Sequence, residues 1–239
     1  MELIICPQPV SYNEAMEWFN CLDKEKIFIL EHQNVYTAGK SIINNNNENK
    51  INIIHGIPAI HTQRGGLWTW HGKGQVVVYF IYNLKKRGLT LSEFLSKIEN
   101  IVLNSVQTEL NYYTHNTRYN IFADPEKRGF WFNNKHTRQN EKFGFIGLRI
   151  SKGYVLHGIS INYNNDLKWF DFIDPCGLGK VKITSIQEIL RYTPNTNNKT
   201  SHINSSTKSY THTLDINKFK LNLGNNILEK LNVWKNEKE

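Results

Sequence analysis

Apolar positions in this chain follow two spacings, and each predicts a different element. Leu91, Phe94, Leu95, Ile98, Ile101, Val102 and Leu110 recur every three or four residues. That spacing predicts one long helix, opened by Thr90 or Ser92. Ile216, Phe219, Leu223, Ile227 and Leu231 form a second such stripe and predict a C-terminal helix over about 215–233. Ser11 precedes Ala15, Phe19 and Leu22 as an N-cap, with Glu14 completing a capping box, so a shorter helix is expected there. Another is expected over 183–190. Short apolar and β-branched runs predict strands at 3–6, 27–30, 67–70, 76–82, 119–122, 130–132, 143–150 and 155–163. Residues 36–39 are read as a loop.

Polar segments divide these elements. Residues 44–49 are almost all asparagine and are expected in a surface loop, and the low-complexity stretch 195–213 in a mobile one. No repeat and no second hydrophobic block appear, so residues 1–239 are expected to form a single domain. Strands mixed with two-sided helices predict an α/β (α+β) fold, a mixed β-sheet flanked by helices.

Composition narrows the class. No run of about 18 apolar residues is present, so no membrane span is expected. The N-terminal segment lacks the basic region of a secretory signal. Three scattered cysteines, Cys6, Cys21 and Cys176, suggest the reducing cytoplasm and not a disulfide framework. Nine histidines show no zinc-ligand spacing, and neither metal nor cofactor is expected. The net charge of +8 suits an acidic partner. No Lys/Arg block exceeds Lys85-Lys86-Arg87, which argues against nucleic acid.

Three stretches carry candidate chemistry. In Arg64-Gly65-Gly66-Leu67-Trp68-Thr69-Trp70-His71 the paired glycines let a ligand approach the backbone, Arg64 offers a charged fork, and His71 can exchange a proton. The second combines Lys142 with Phe145-Ile146-Gly147 and His157-Gly158-Ile159-Ser160. A single lysine is usually a solvated charge, and a lone strand histidine is usually structural. In the third, Asp174-Pro175-Cys176-Gly177, Pro175 stiffens the approach to a thiol and Gly177 clears space beyond it. Backbone N–H groups beyond Cys176 are candidates to face a developing oxyanion. Free cysteines more often pack as small apolar residues, the role expected of Cys6 and Cys21.

In order and spacing the chain resembles the lipoyl/octanoyl transferase family across residues 31–190. The matching stretches are EHQNVYTAGK, RGGLWTWHGKGQ, FIGLRI behind Lys142, LHGISIN and DLKWFDFIDPCG. The resemblance implies a fold similar to the lipoate/biotin protein ligase catalytic domain. It implies transfer of an octanoyl or lipoyl group from acyl carrier protein to a lysine of lipoyl domains in 2-oxoacid dehydrogenase or glycine-cleavage proteins, the first step of endogenous lipoate biosynthesis. On this resemblance the acyl-thioester nucleophile falls on Cys176, and the lysine that lowers its pKa on Lys142. Substrate contacts fall on Arg64 to His71, on Phe145, Ile146 and Gly147, and on Gly158, Ile159 and Ser160, with His157 as a supporting group. Lys73 stands where the family usually has Pro, and Trp70 where it often has Tyr. A cytoplasmic monomer that binds neither membrane nor nucleic acid is expected. Leu67, Trp68, Phe145 and Ile146 are the expected walls of an acyl tunnel, where about seven apolar carbons at ~0.8 kcal/mol each contribute on the order of 5 kcal/mol. The alternative is an ATP-dependent lipoate- or biotin-type protein ligase, which would not require Cys176.

Overall fold

The computed structural model describes residues 1–42, 52–114, 118–175, 177, 179, 181–192 and 213–236. The expected loop at 44–49, nearly all of that at 195–213, and Cys176 itself lie outside the described residues.

In chain order the elements are β1 (Glu2–Ile5), α1 (Tyr12–Glu17), β2 (Lys26–Leu30), β3 (Val35–Ala38), β4 (Asn52–Ile54), β5 (Ile57–His61), β6 (Trp68–His71) and β7 (Gln75–Asn83). There follow α2 (Leu91–Thr114), β8 (Ile121–Ala123), β9 (Phe130–Asn134), β10 (Gln139–Ser151), β11 (Tyr154–Asn162), α3 (Ile186–Arg191) and α4 (Ile216–Asn236), with short 3-10 turns between. Ser11 caps α1, its Oγ accepting the Glu14 N–H at 3.2 Å. A reciprocal capping box forms at α2 instead. There Thr90 Oγ1 accepts the Glu93 N–H, and Glu93 Oε2 accepts the Thr90 N–H.

The single sheet expected from sequence is two. Among the described residues, seven strands order as β1-β2-β7-β11-β10-β9-β8, and four as β4-β5-β3-β6. The first is mixed, with β1–β2 parallel and its other pairs antiparallel. Residues 36–39, read as a loop, belong largely to β3, which pairs with β5 on one side and β6 on the other. Its partners lie more than twenty residues ahead in the chain, so local pattern does not reveal it.

The central strand β7 explains the layering. Val76, Val78, Phe80 and Tyr82 face α2 and α4 in the main core, with Phe94, Ile98, Phe219 and Leu223. Val77, Tyr79 and Ile81 face the other way, with Ala15 of α1, Phe28 and Leu30. A strand buried on both faces reads as a continuous apolar run, as 76–82 does. The small sheet has its own core of Tyr36, Ala59, Trp70, Phe145 and Phe170. Cys6 is half-buried against the second face, whereas Cys21 is exposed, because α1 stops at Glu17 and the chain turns out. Among the described residues no helix is long and apolar enough to cross a membrane.

Candidate active site

A cavity of about 220 Å³ opens where β6, β7, β10 and β11 converge. Most of the residues singled out from sequence border it: Arg64, Gly66, Leu67, Trp68, Thr69 and His71; Lys142, Phe145, Ile146 and Gly147; and His157, Gly158, Ile159 and Ser160. The four expected tunnel residues, Leu67, Trp68, Phe145 and Ile146, are all among its walls. Gly65 and Trp70 are not. Trp70 turns into the small core, stacked on Trp169 and edge-on to Phe170, away from its strand neighbours Thr69 and His71. The cavity also takes in Pro175 of the third candidate stretch, and Val77, Tyr79, Glu126, Lys127 and Arg128, which the sequence did not single out as a site.

β10 and β11 pair Gly147 directly with Gly158 in its wall. Gly158 is forced by the close approach of β7. A Cβ there would lie 1.7 Å from the Val78 carbonyl oxygen.

Lys142 is buried at one end. Its Nζ donates to the carbonyls of Lys127 at 3.0 Å and Arg128 at 2.5 Å. It also sits 4.9 Å from the Trp131 ring centre and 5.3 Å from that of Phe145. The loop supplying the carbonyls is held by Asp124, whose Oδ1 accepts the N–H groups of Glu126 and Lys127.

The segment after the cysteine returns to this lysine. Lys142 N–H donates to the Lys182 carbonyl at 2.8 Å, and Thr184 N–H to the Lys142 carbonyl at 2.9 Å. Lys182 Nζ is 2.7 Å from the buried Glu141, and that bond raises the lysine pKa. The residues flanking Cys176 border the same space. Pro175 lines the cavity, and Gly177 (φ 59°) packs so tightly on Leu67 that a Cβ would meet Leu67 Cδ1 at 2.4 Å. The Gly177 N–H, a candidate oxyanion donor from sequence, is engaged by Asp174 Oδ1 at 2.8 Å. Leu178, beyond it, lies outside the described residues.

Arg64 acts on the protein's own loop. Buried, it donates from Nε and Nη2 to Thr37 Oγ1, from Nη2 to the carbonyls of Thr37 and Leu67, and from Nη1 to that of Gly65. It thus folds residues 64–67 against β3, and burial lowers its pKa.

The far end of the cavity is polar and neutral. Gln75 donates from Nε2 to the Trp70 carbonyl and to Asn162 Oδ1, which turns its Oε1 to His71 Nδ1 at 2.7 Å. His71 therefore donates through Nδ1 and keeps its lone pair on Nε2. Its pKa is held well below the usual histidine value by burial first, then by nearby His32 and Arg64. His32 donates to the Val10 carbonyl, accepts from the Tyr79 hydroxyl, and is pushed down to about 4 by burial. His157 is pushed down to about 3 by burial and by Arg64 and Arg149. Gln75 and His32 lie inside the stretches quoted from sequence, but their roles depend on partners far away in the chain.

A ligand-sized cavity with a buried lysine at one end and neutral histidines at the other, on this double-sheet fold, matches one class of enzyme domain. The chain belongs to the lipoyl protein ligase A/B catalytic domain family, whose pattern matches residues 13–205. Among its relatives, an octanoyltransferase of Wigglesworthia glossinidia brevipalpis is 34% identical over 219 residues, covering 90% of this chain and 91% of that one. An octanoyltransferase of Orientia tsutsugamushi (strain Boryong) is 34% identical over 202 residues, covering 80% and 89%. In fold the chain is similar to a lipoate-protein ligase A bound with ATP, with a TM-score of 0.59 at 12% identity, covering 97% of this chain and 86% of that one. It is also similar to a biotin protein ligase from Aquifex aeolicus, with a TM-score of 0.50 at 15% identity, covering 98% and 72%.

Proposed function

We propose that this chain is an octanoyltransferase that moves an octanoyl group from acyl carrier protein to a lysine of a lipoyl domain, through a thioester on Cys176. The reading rests on one observation above the others. Pro175 and Gly177, either side of Cys176, border the same cavity wall that leads to buried Lys142. The octanoyltransferase relatives support the substrate. So do the apolar walls that Leu67, Trp68, Phe145 and Ile146 give the cavity.

The chemistry needs two transfers. The Cys176 thiolate attacks the carrier thioester carbonyl; a new C–S bond forms, the old one breaks, and the carrier sulfur leaves as a thiol by taking a proton from the Lys142 ammonium, which is left neutral for the second transfer. A neutral lysine amine of the acceptor then attacks the acyl-Cys176 carbonyl. The amide forms, and the Cys176 thiolate departs. Lys142 stands beside this end as the cation that favours the thiolate and as the group that relays the amine's proton. Thioester to amide is downhill, so ATP is not required. That separates this reading from a ligase, whose activity would follow ATP and free acid. The positive charge speeds encounter with an acidic carrier protein.

The test is intact mass after incubation with octanoyl-carrier protein. Wild type should gain one octanoyl group, Cys176→Ser should not, and Lys142→Ala should gain it far more slowly. Undiminished transfer by Cys176→Ser would overturn the assignment.

A further inference from the structure

We propose that His157 is the end-stop of the acyl cavity and sets the length of the chain transferred. The inference rests on the octanoyl-transfer reading and adds the residue that measures the substrate.

The placement of His157 is unusual. Along β11, Val155, Ile159 and Ile161 face the helices of the main core. Strand alternation would send residue 157 the same way. Its backbone adopts φ 60° instead, a left-handed conformation rare outside glycine. That twist swings the ring to the opposite side, 5.1 Å from the Phe19 ring and 6.4 Å from that of Tyr79, both on the second face of the sheet. The ring is buried, and among the described residues its Nδ1 has no hydrogen-bond partner. No polar contact among them explains holding a strained backbone here; its position between two spaces does.

His157 borders the acyl cavity on one side and a second cavity of about 700 Å³ on the other. Met16, Phe19, Leu22, Tyr154 and Leu156 give the second an apolar strip beside the imidazole, and Asn13, Gln63, Arg149 and Lys152 are among the polar residues that complete its wall.

The distance fits eight carbons. Lys142 Nζ marks the reactive end on the octanoyl-transfer reading, and it lies 5.3 Å from the ring centre of Phe145, which pairs with Ser160. His157 lies three residues along β11, or about 10 Å at ~3.3 Å per residue. An extended eight-carbon chain, with seven C–C bonds, spans about 9 Å. Its last carbon therefore meets the imidazole. A twelve-carbon chain would need the space behind it.

The test compares transfer from octanoyl- and dodecanoyl-carrier protein by wild type, His157→Gly and His157→Gln. Glycine adopts φ 60° without strain, so His157→Gly keeps the backbone and removes the wall. The dodecanoyl/octanoyl ratio of kcat/KM should rise at least tenfold in His157→Gly and stay within about threefold of wild type in His157→Gln, which keeps the bulk. A folded His157→Gly with the wild-type ratio overturns the inference, as does an equal shift in both variants. Should His157→Gly not fold, Phe19→Ala decides, because it removes the ring that backs the imidazole. A raised ratio there supports the end-stop, and an unchanged ratio overturns it. Absence of octanoyl transfer by wild type is read separately and overturns the functional reading itself.

Discussion

Lys220 on α4 places its Nζ 3.1 Å from Glu31 Oε1, and the other oxygen of Glu31 accepts the N–H of Gly74 at 2.8 Å. Both side chains are nearly or fully buried. The last helix is thereby tied to the loop between β6 and β7, three positions beyond His71. A buried pair broken on one side leaves an uncompensated charge. Lys220→Met should therefore cost about 3 kcal/mol in urea unfolding, with Lys220→Met/Glu31→Gln recovering part of it. A loss under about 0.5 kcal/mol in the single variant would show that the pair contributes little.

The buried histidines predict a pH dependence. His32 and His157 have folded pKa values of about 4 and about 3, both below the usual ~6.5. The unfolded chain binds their protons first, so their contribution is complete above pH ~6.5 and is lost as pH falls toward 4. Each contributes a slope of about 1.4 kcal/mol per pH unit inside that window. Urea melts at pH 7, 6 and 5 should show stability falling, with a shallower slope in His157→Gln. Equal stability at pH 7 and 5 would refute it.

Gly158 tests the close approach of β7 and β11. With a Cβ only 1.7 Å from the Val78 carbonyl oxygen, Gly158→Ala must push two central strands apart. A destabilisation on the order of 3 kcal/mol or more is expected, seen as a lower urea midpoint or insoluble expression. Gly56, with no described atom within 4 Å but φ 79°, should tolerate alanine at a cost of only about 1 kcal/mol.

Lys142 should affect the rate more than the fold. Single-turnover formation of the octanoyl-enzyme, followed by intact mass, should slow about 10²- to 10⁴-fold in Lys142→Ala. A loss of less than threefold would remove the lysine from the proton path.

Leu67→Trp would fill the cavity beside Gly177, which already lies hard against Leu67. Octanoyl transfer should fall at least tenfold and transfer of a four-carbon acyl group by less, measured as kcat/KM for each donor. Equal losses for both would mean that the wall does not contact the chain.

The sequence by itself determined the elements whose pattern is local. The helical stripe from Leu91 to Leu110 became α2, that from Ile216 to Leu231 became α4, and the unbroken run 76–82 became the strand buried on both faces. It also marked most of the cavity wall, through stretches whose order matches a known family. Only the tertiary structure decided the rest. The strand β3 is defined by hydrogen bonds to β5 and β6, and local spacing carries no trace of such partners. The polar residues Gln139 to Lys142 extend β10 because β9 pairs with them across a turn, although nothing apolar announces a strand there. Lys142 gains its surroundings from residues 127–128 and 182–184, Arg64 from Thr37, and Glu31 from Lys220. The turn of His157 into the cavity is a single backbone angle that strand alternation forbids. Periodicity records which way a regular element faces the core. Pairings between distant segments, and departures from regularity such as this one, are set only when the whole chain packs.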